Sequence, residues 1–352
     1  MARVGFVALP HERRLEDETR RGQNETMTDT GWFDPPYGVG DVDAAQAVPV
    51  SGDTVRCCIR TCSRMLARAH RGSRTNQACF CPEHQIRVSA SRTRPTYVFQ
   101  DAKRNFIVDR GLLDTTKKTE SWRLGNETSE DALSWNVFVG LMRLGLLGAA
   151  VQVLSGVSVD REPHLYLWGN EIREREMRDW SLLGTIREQL EPGFRIQTEP
   201  DVALHVPGQL LVLVEAKFGS RNCTLDKKKY ERVGQFLEVY VAPEGGADPL
   251  DRGWIMKQPP GKIFEQLCRL AVLGSWMRKA DERIVIVNLV RQTELAANPP
   301  AFGSHLVVGG PVKFEARAWE QLIPLANGAR NQTLARYLEK KSYCLRPAFA
   351  KA

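Results

Sequence analysis

One stretch limits what this chain can fold into. It runs from Glu199-Pro200-Asp201 through Val206, Pro207-Gly208-Gln209 and Leu210 to Val214, and ends at Glu215-Ala216-Lys217. Val202, Leu204 and Val206 alternate with Ala203 and His205, the period of a strand. Pro207-Gly208 is turn chemistry. Leu210 to Val214 is an unbroken apolar run, as expected of a central strand covered on both faces. The stretch therefore predicts a hairpin in the middle of a sheet.

A three-residue loop pairs Val206 with Leu210 and carries Asp201 opposite Glu215, with Cβ atoms about 5 Å apart. A two-residue loop would slip the register by one and weaken that pairing. Lys217 lies two residues beyond Glu215 and points to the same side of the sheet, while Ala216 points away. Two acids and a lysine then converge at the open end of the hairpin. Carboxylates this close repel, and a hard divalent cation such as Mg²⁺ or Mn²⁺ relieves the repulsion. Such a cation polarises a phosphate and lowers the pKa of a bound water, and an ammonium group steadies the developing charge. That is the chemistry of phosphodiester hydrolysis. The plain alternative is a surface hairpin with an ordinary Glu215–Lys217 ion pair.

Pro200-Asp201 and Glu215-Ala216-Lys217, in this strand–turn–strand setting, resemble the PD-(D/E)xK nuclease superfamily. The resemblance implies an α/β fold over residues 111–352: a restriction-endonuclease-like α/β/α core with a mixed central sheet. It implies a metal-dependent endonuclease that cleaves DNA in restriction, anti-phage defence or repair. Asp201, Glu215 and the backbone carbonyl of Ala216 would hold Mg²⁺ or Mn²⁺, and Lys217 would position or activate the attacking water. In that superfamily the first core helix commonly presents a glutamate to the metal, a place that Glu130 matches here. Gln235 and Tyr240 resemble the glutamine and tyrosine that follow the core strands in RecB-like members. Four residues separate the pair here where three is usual. Gln235 would orient the scissile phosphate. Two other readings stay open: a zinc-stabilised nucleic-acid binder that does not cut, and a structure-specific junction nuclease. A homodimer is among the assemblies the resemblance allows.

A second cluster precedes this core. Five of the chain's eight cysteines fall between Cys57 and Cys81, in Arg56-Cys57-Cys58-Ile59-Arg60-Thr61-Cys62 and Cys79-Phe80-Cys81-Pro82-Glu83-His84. Such crowding fits a metal in a reducing compartment better than a disulfide scaffold. Cys58, Cys62, Cys81 and His84 offer a zinc-binding set, with Cys57 and Cys79 as substitutes. Arg64, Arg68, His70, Arg71 and Arg74 lie in the loop between the two knuckles and read either as phosphate contacts or as a solvated loop. The module spans 53–110. Residues 1–52 read as a disordered or loosely docked arm, or as a short docking segment led by Trp32 and Phe33.

Elsewhere, Thr128-Ser129-Glu130-Asp131 caps a predicted helix, and Leu133, Val137 and Leu141 follow helical spacing. Glu171–Arg187 reads as a charged helix, and Thr224 or Asp226 opens a helix through Lys227-Lys228-Lys229 to Tyr240. Phe264–Met277 and residues 315–342 read as helical, and Arg283–Val290 as a buried strand. A formal net charge of +7 favours an acidic partner, of which DNA is the usual one. No apolar run approaches the roughly 20 residues that span a bilayer, and residues 1–22 lack a signal-peptide core, so no membrane and a cytoplasmic location are expected. Gly261-Lys262 lacks the upstream glycine of a phosphate-binding loop, and no G-x-S-x-G elbow occurs.

Overall fold

A computed structural model describes residues 32, 38–43, 49–51, 54–67, 79–88, 97–113, 122–194, 197–218, 220–225, 233–240, 248–279, 281–297 and 301–341. Phe33, Arg68, His70, Arg71, Arg74, Asp226 and Lys227 to Lys229 lie outside these residues. Two small antiparallel sheets come first. Strands β1 (Pro49–Ser51), β2 (Thr54–Arg56) and β3 (Met65–Ala67) form one, and β4 (Phe80–Cys81), β5 (Ile86–Val88) and β6 (Tyr97–Phe99) the other. Then follow α1 (Glu130–Arg143), α2 (Leu147–Ser155), β7 (His164–Leu167), β8 (Asn170–Ile172), β9 (Met177–Asp179) and α3 (Ser181–Leu190). The hairpin β10 (Val202–Val206) and β11 (Leu210–Ala216) leads to α4 (Val233–Tyr240), α5 (Glu265–Met277), β12 (Arg283–Val290), β13 (Val312–Ala318) and α6 (Gln332–Glu339).

The central sheet is mixed and seven-stranded, in the order β13-β12-β11-β10-β7-β8-β9. Strands β11, β12 and β13 are parallel, and the remaining pairs are antiparallel. Side-chain alternation divides its two faces. Val212, Val214, Val285 and Val287 pack with α1, α2 and α6, whereas Leu211, Leu213, Ile284 and Ile286 pack with α3, α4 and α5. Every residue of β11 is buried, as its unbroken apolar run requires of a strand covered on both sides.

The small sheets pack against the first helix of the larger sheet. Val55, Ile59, Ile86 and Phe99 share one core with Leu133, Val137 and Leu141 of α1. Asn136 accepts from the Ile107 backbone N–H at 2.9 Å and donates to the Asn105 carbonyl at 2.8 Å, and Trp135 Nε1 donates to the Val108 carbonyl at 2.9 Å. Inside the stretch expected to be a loose arm, Trp32 is buried and bridges to Val108. Its ring packs over Gly140, where a Cβ would come within 2.9 Å. The docking reading holds for Trp32; Phe33 falls outside the described residues.

Two helix expectations fail for one reason. Residues 170–179 form the β8–β9 hairpin instead of the start of a charged helix. The charges pair within the hairpin: Arg173 with Glu171 at 2.8 Å, and Arg178 with Glu176 at 2.6 Å. Charged side chains on an edge strand also block pairing with other chains. Residues 315–318 likewise belong to strand β13, whose Phe314 packs on one face beside β12. Period two, not 3.6, governs both segments. Among the described residues, no helix is long and apolar enough to cross a membrane.

Candidate active site and metal centre

The β10–β11 turn has the three-residue form. Val206 pairs with Leu210 and Val202 with Val214, and the Gln209 N–H donates to the Val206 carbonyl at 2.9 Å. Gly208 adopts φ 79°, a left-handed conformation that suits glycine. This register carries Asp201 opposite Glu215. The Asp201 carboxylate accepts from the Ala216 backbone N–H at 2.8 Å, which fixes the end of the hairpin. Lys217 Nζ donates to Glu215 Oε1 at 2.6 Å and lies 4.0 Å from Glu130 Oε2.

Glu130 reaches this point because Ser129 caps α1. The Ser129 hydroxyl accepts from the Ala132 N–H at 3.1 Å, which starts the helix with Glu130 in its first turn. Glu130 Oε1 accepts from the Phe218 N–H at 2.7 Å and from Ser220 Oγ at 2.6 Å. Glu130 thus ties the exit of β11 to α1 and turns its second oxygen toward Lys217. The Lys217 backbone is pinned as well: its N–H donates to the Leu289 carbonyl at 2.8 Å, and its carbonyl accepts from Trp319 Nε1 at 3.1 Å.

Electrostatics follow from this crowding. Burial raises the Asp201 carboxyl well above its ordinary pKa, and the neighbouring Glu215 charge adds to the rise. Burial also raises Glu215, with Lys217 opposing. For Lys217, burial disfavours the charge, but Glu215, Asp201 and Glu130 outweigh it and hold the pKa above the ordinary value. The three carboxylates therefore favour the ammonium form of Lys217.

Beside Glu215, on the α5 side of the sheet, lies a cavity of about 240 Å³ lined by Gln197, Thr198, Glu199, Gln266 and Arg269 among others. The sequence reading missed these groups. A buried network stands behind them: Glu191 Oε2 accepts from the Thr198 N–H at 2.6 Å, and Glu191 Oε1 from Tyr240 Oη at 3.1 Å and Arg269 Nη2 at 3.1 Å. Arg269 Nε donates to Thr198 Oγ1 at 2.7 Å. Tyr240 serves this network. Gln235 is half-buried in the first turn of α4 and does not line the cavity.

The second cluster closes around Cys57, Cys62, Cys81 and His84, whose ligand atoms all lie within 4.8 Å of one another. Cys57 takes the place expected of Cys58. Cys57 faces the other three ligands, and Cys58 is buried toward Tyr97 and Glu127. His84 Nδ1 lies 3.3 Å from Cys81 Sγ and 3.9 Å from Cys57 Sγ. The Cys58 thiol, with help from the Ile59 N–H, holds the Cys57 pKa down to about 5, whereas burial pushes Cys81 up to about 12. A Cys₃His set of this kind can hold a metal ion such as zinc, with every tetrahedral position filled by protein.

No protein-family model, curated protein or solved structure matches this chain.

Proposed function

We propose that this chain is a divalent-cation-dependent DNA nuclease with a restriction-endonuclease-like core, and that the Cys₃His cluster holds structural zinc. The observation that carries this reading is the meeting of Asp201, Glu215, Lys217 and Glu130 at the exit of one buried hairpin. The residues fit a hard cation. Glu215 is buried and Asp201 half-buried, both with raised pKa values, and their oxygens are the donors that Mg²⁺ and Mn²⁺ prefer.

Asp201 and Glu215 would hold the cation. When bound, it supplies Lewis-acid polarisation of a phosphate and a more acidic water. Lys217 holds its positive charge beside the acids and stabilises the charge that builds on the phosphate oxygens. Glu130 keeps the Phe218 backbone and Ser220 fixed, and so keeps Lys217 aimed. DNA is the proposed substrate on the strength of the +7 net charge and the resemblance of the motif.

The test is incubation of supercoiled plasmid with Mg²⁺ or Mn²⁺, beside single-stranded, junction and RNA substrates. Nicking or linearisation by the wild type, lost in Asp201→Ala and Lys217→Ala, supports the reading. Cleavage that persists in both variants refutes the site. Tight binding without cleavage under every divalent metal favours a nucleic-acid-binding protein.

A further inference from the structure

Asn288 lies in β12 directly beside Glu215. The parallel register pairs the two residues, so their side chains leave the same face of the sheet about 5 Å apart. Asn288 is 0% exposed, and neither its Oδ1 nor its Nδ2 has a hydrogen-bond partner. Buried amides are nearly always satisfied, and an exception in a folded protein points to a role or to a bound water or ion. Gln266 Oε1, in the lining of the cavity beside Glu215, is also without a partner.

Packing brings these groups to one level. Helix α5 precedes β12 and runs back across it, and Gly274 sits against Ile284 and Leu213, where a Cβ would lie 2.9 Å from Ile284 Cγ2. The strand rises about 3.3 Å per residue and the helix about 1.5 Å. Four strand residues onward from Ile284, at Asn288, the matching helix position falls near Gln266. Two amides with unmet atoms therefore flank the buried Glu215 carboxylate.

A carboxylate only accepts hydrogen bonds, so whatever bridges it to these amides must donate. Water does: between Asn288 and Glu215 it would accept from Asn288 Nδ2 and donate to the carboxylate, and in the cavity it would donate to Gln266 Oε1. The cavity that Glu215 and Gln266 line has room, since a water needs only about 10–15 Å³ of such space, and Asn288 stands beside Glu215 outside that lining. We propose that Asn288 is a positioning residue of the acidic site: through a bound water, its carboxamide holds the neighbouring Glu215 carboxylate in the orientation that binds a divalent cation. The proposal rests on the cation-site reading above and adds to it.

Isothermal titration of zinc-saturated protein with Mn²⁺ tests it, alongside thermal unfolding of each variant. Glu215→Gln abolishes Mn²⁺ binding. Asn288→Leu weakens it about tenfold or more, as loss of a ligand-orienting group does. The same variant still unfolds cooperatively and close to the wild-type temperature, because leucine fills the volume of the amide. Gln266→Leu, at a less buried position, weakens binding in the same direction and serves if Asn288→Leu does not fold. Wild-type Mn²⁺ affinity in these variants, with Glu215→Gln still defective, overturns the proposal and leaves the active-site reading standing. A wild type that binds no Mn²⁺ overturns both.

Discussion

The Cys/His cluster and the acidic groups at the exit of β11 bring candidate metal ligands together in opposite ways. In the cluster, four soft or borderline ligands lie within 4.8 Å of one another and all are buried. No coordination position remains for a substrate. In the acidic site, the groups are hard oxygens that repel one another, one of them paired with Lys217, and a cavity of about 240 Å³ opens beside Glu215. A closed site gives its metal's binding energy to folding, whereas an open site keeps positions for water and substrate. The first should govern stability and the second rate.

Breaking the closed site is the harshest test of this contrast. Zinc binding to small Cys/His sites contributes on the order of 10 kcal/mol. Cys57→Ala should therefore abolish bound zinc and unfold the N-terminal sheets, while Cys58→Ala keeps one zinc per chain; metal analysis and circular dichroism of both variants read this directly. Zinc loss from Cys58→Ala alone would reverse the ligand assignment.

Behind the open site, protein rather than metal supplies the stability. Glu191 is 1% exposed and accepts from Thr198, Tyr240 and Arg269. Glu191→Ala leaves Arg269 buried beside fewer acids and should cost about 3–5 kcal/mol, measured by urea unfolding. A loss below about 1 kcal/mol would mean that the network relaxes into solvent.

Lys217→Met separates rate from stability at the open site itself. It should lower plasmid cleavage by about 10²–10³-fold, the effect of losing one charge-stabilising donor. Mn²⁺ affinity should rise, because Glu215 loses the ammonium that competes for its oxygen. Weaker Mn²⁺ binding would make Lys217 a support for the ion rather than a rival.

The smallest effect concerns pH. Asp201 and Glu215 have raised pKa values, so the folded state holds protons that the unfolded chain releases. Stability contributed by these groups is then lost as pH rises from the ordinary carboxylate range toward the raised values. A divalent cation relieves that loss, so the rise in melting temperature with Mn²⁺ should be a few degrees larger at pH 8 than at pH 6. Equal shifts at both pH values would place the ion elsewhere.

The same contrast explains what could be read from sequence. The hairpin register was legible because it is local: Pro207-Gly208-Gln209 sets the pairing, and the pairing sets Asp201 against Glu215. Glu130 was reachable only through resemblance, because its approach to Lys217 depends on how α1 packs. Cys57 and Cys58 differ by the direction in which the chain leaves β2, which spacing does not encode. The charges of Glu171, Arg173, Glu176 and Arg178 suit a helix face or a hairpin equally well, and the hairpin won. Asn288 left a visible signal, one amide within an apolar strand, but its meaning required the register with Glu215.

The central claim is that Asp201 and Glu215 share a divalent cation. Crystals soaked in Mn²⁺ and measured for anomalous scattering test it most directly. The account predicts a peak bridging the two carboxylates that is absent in Asp201→Ala. Manganese density confined to other acidic residues, with the space between Asp201 and Glu215 empty at saturating ion, would contradict it.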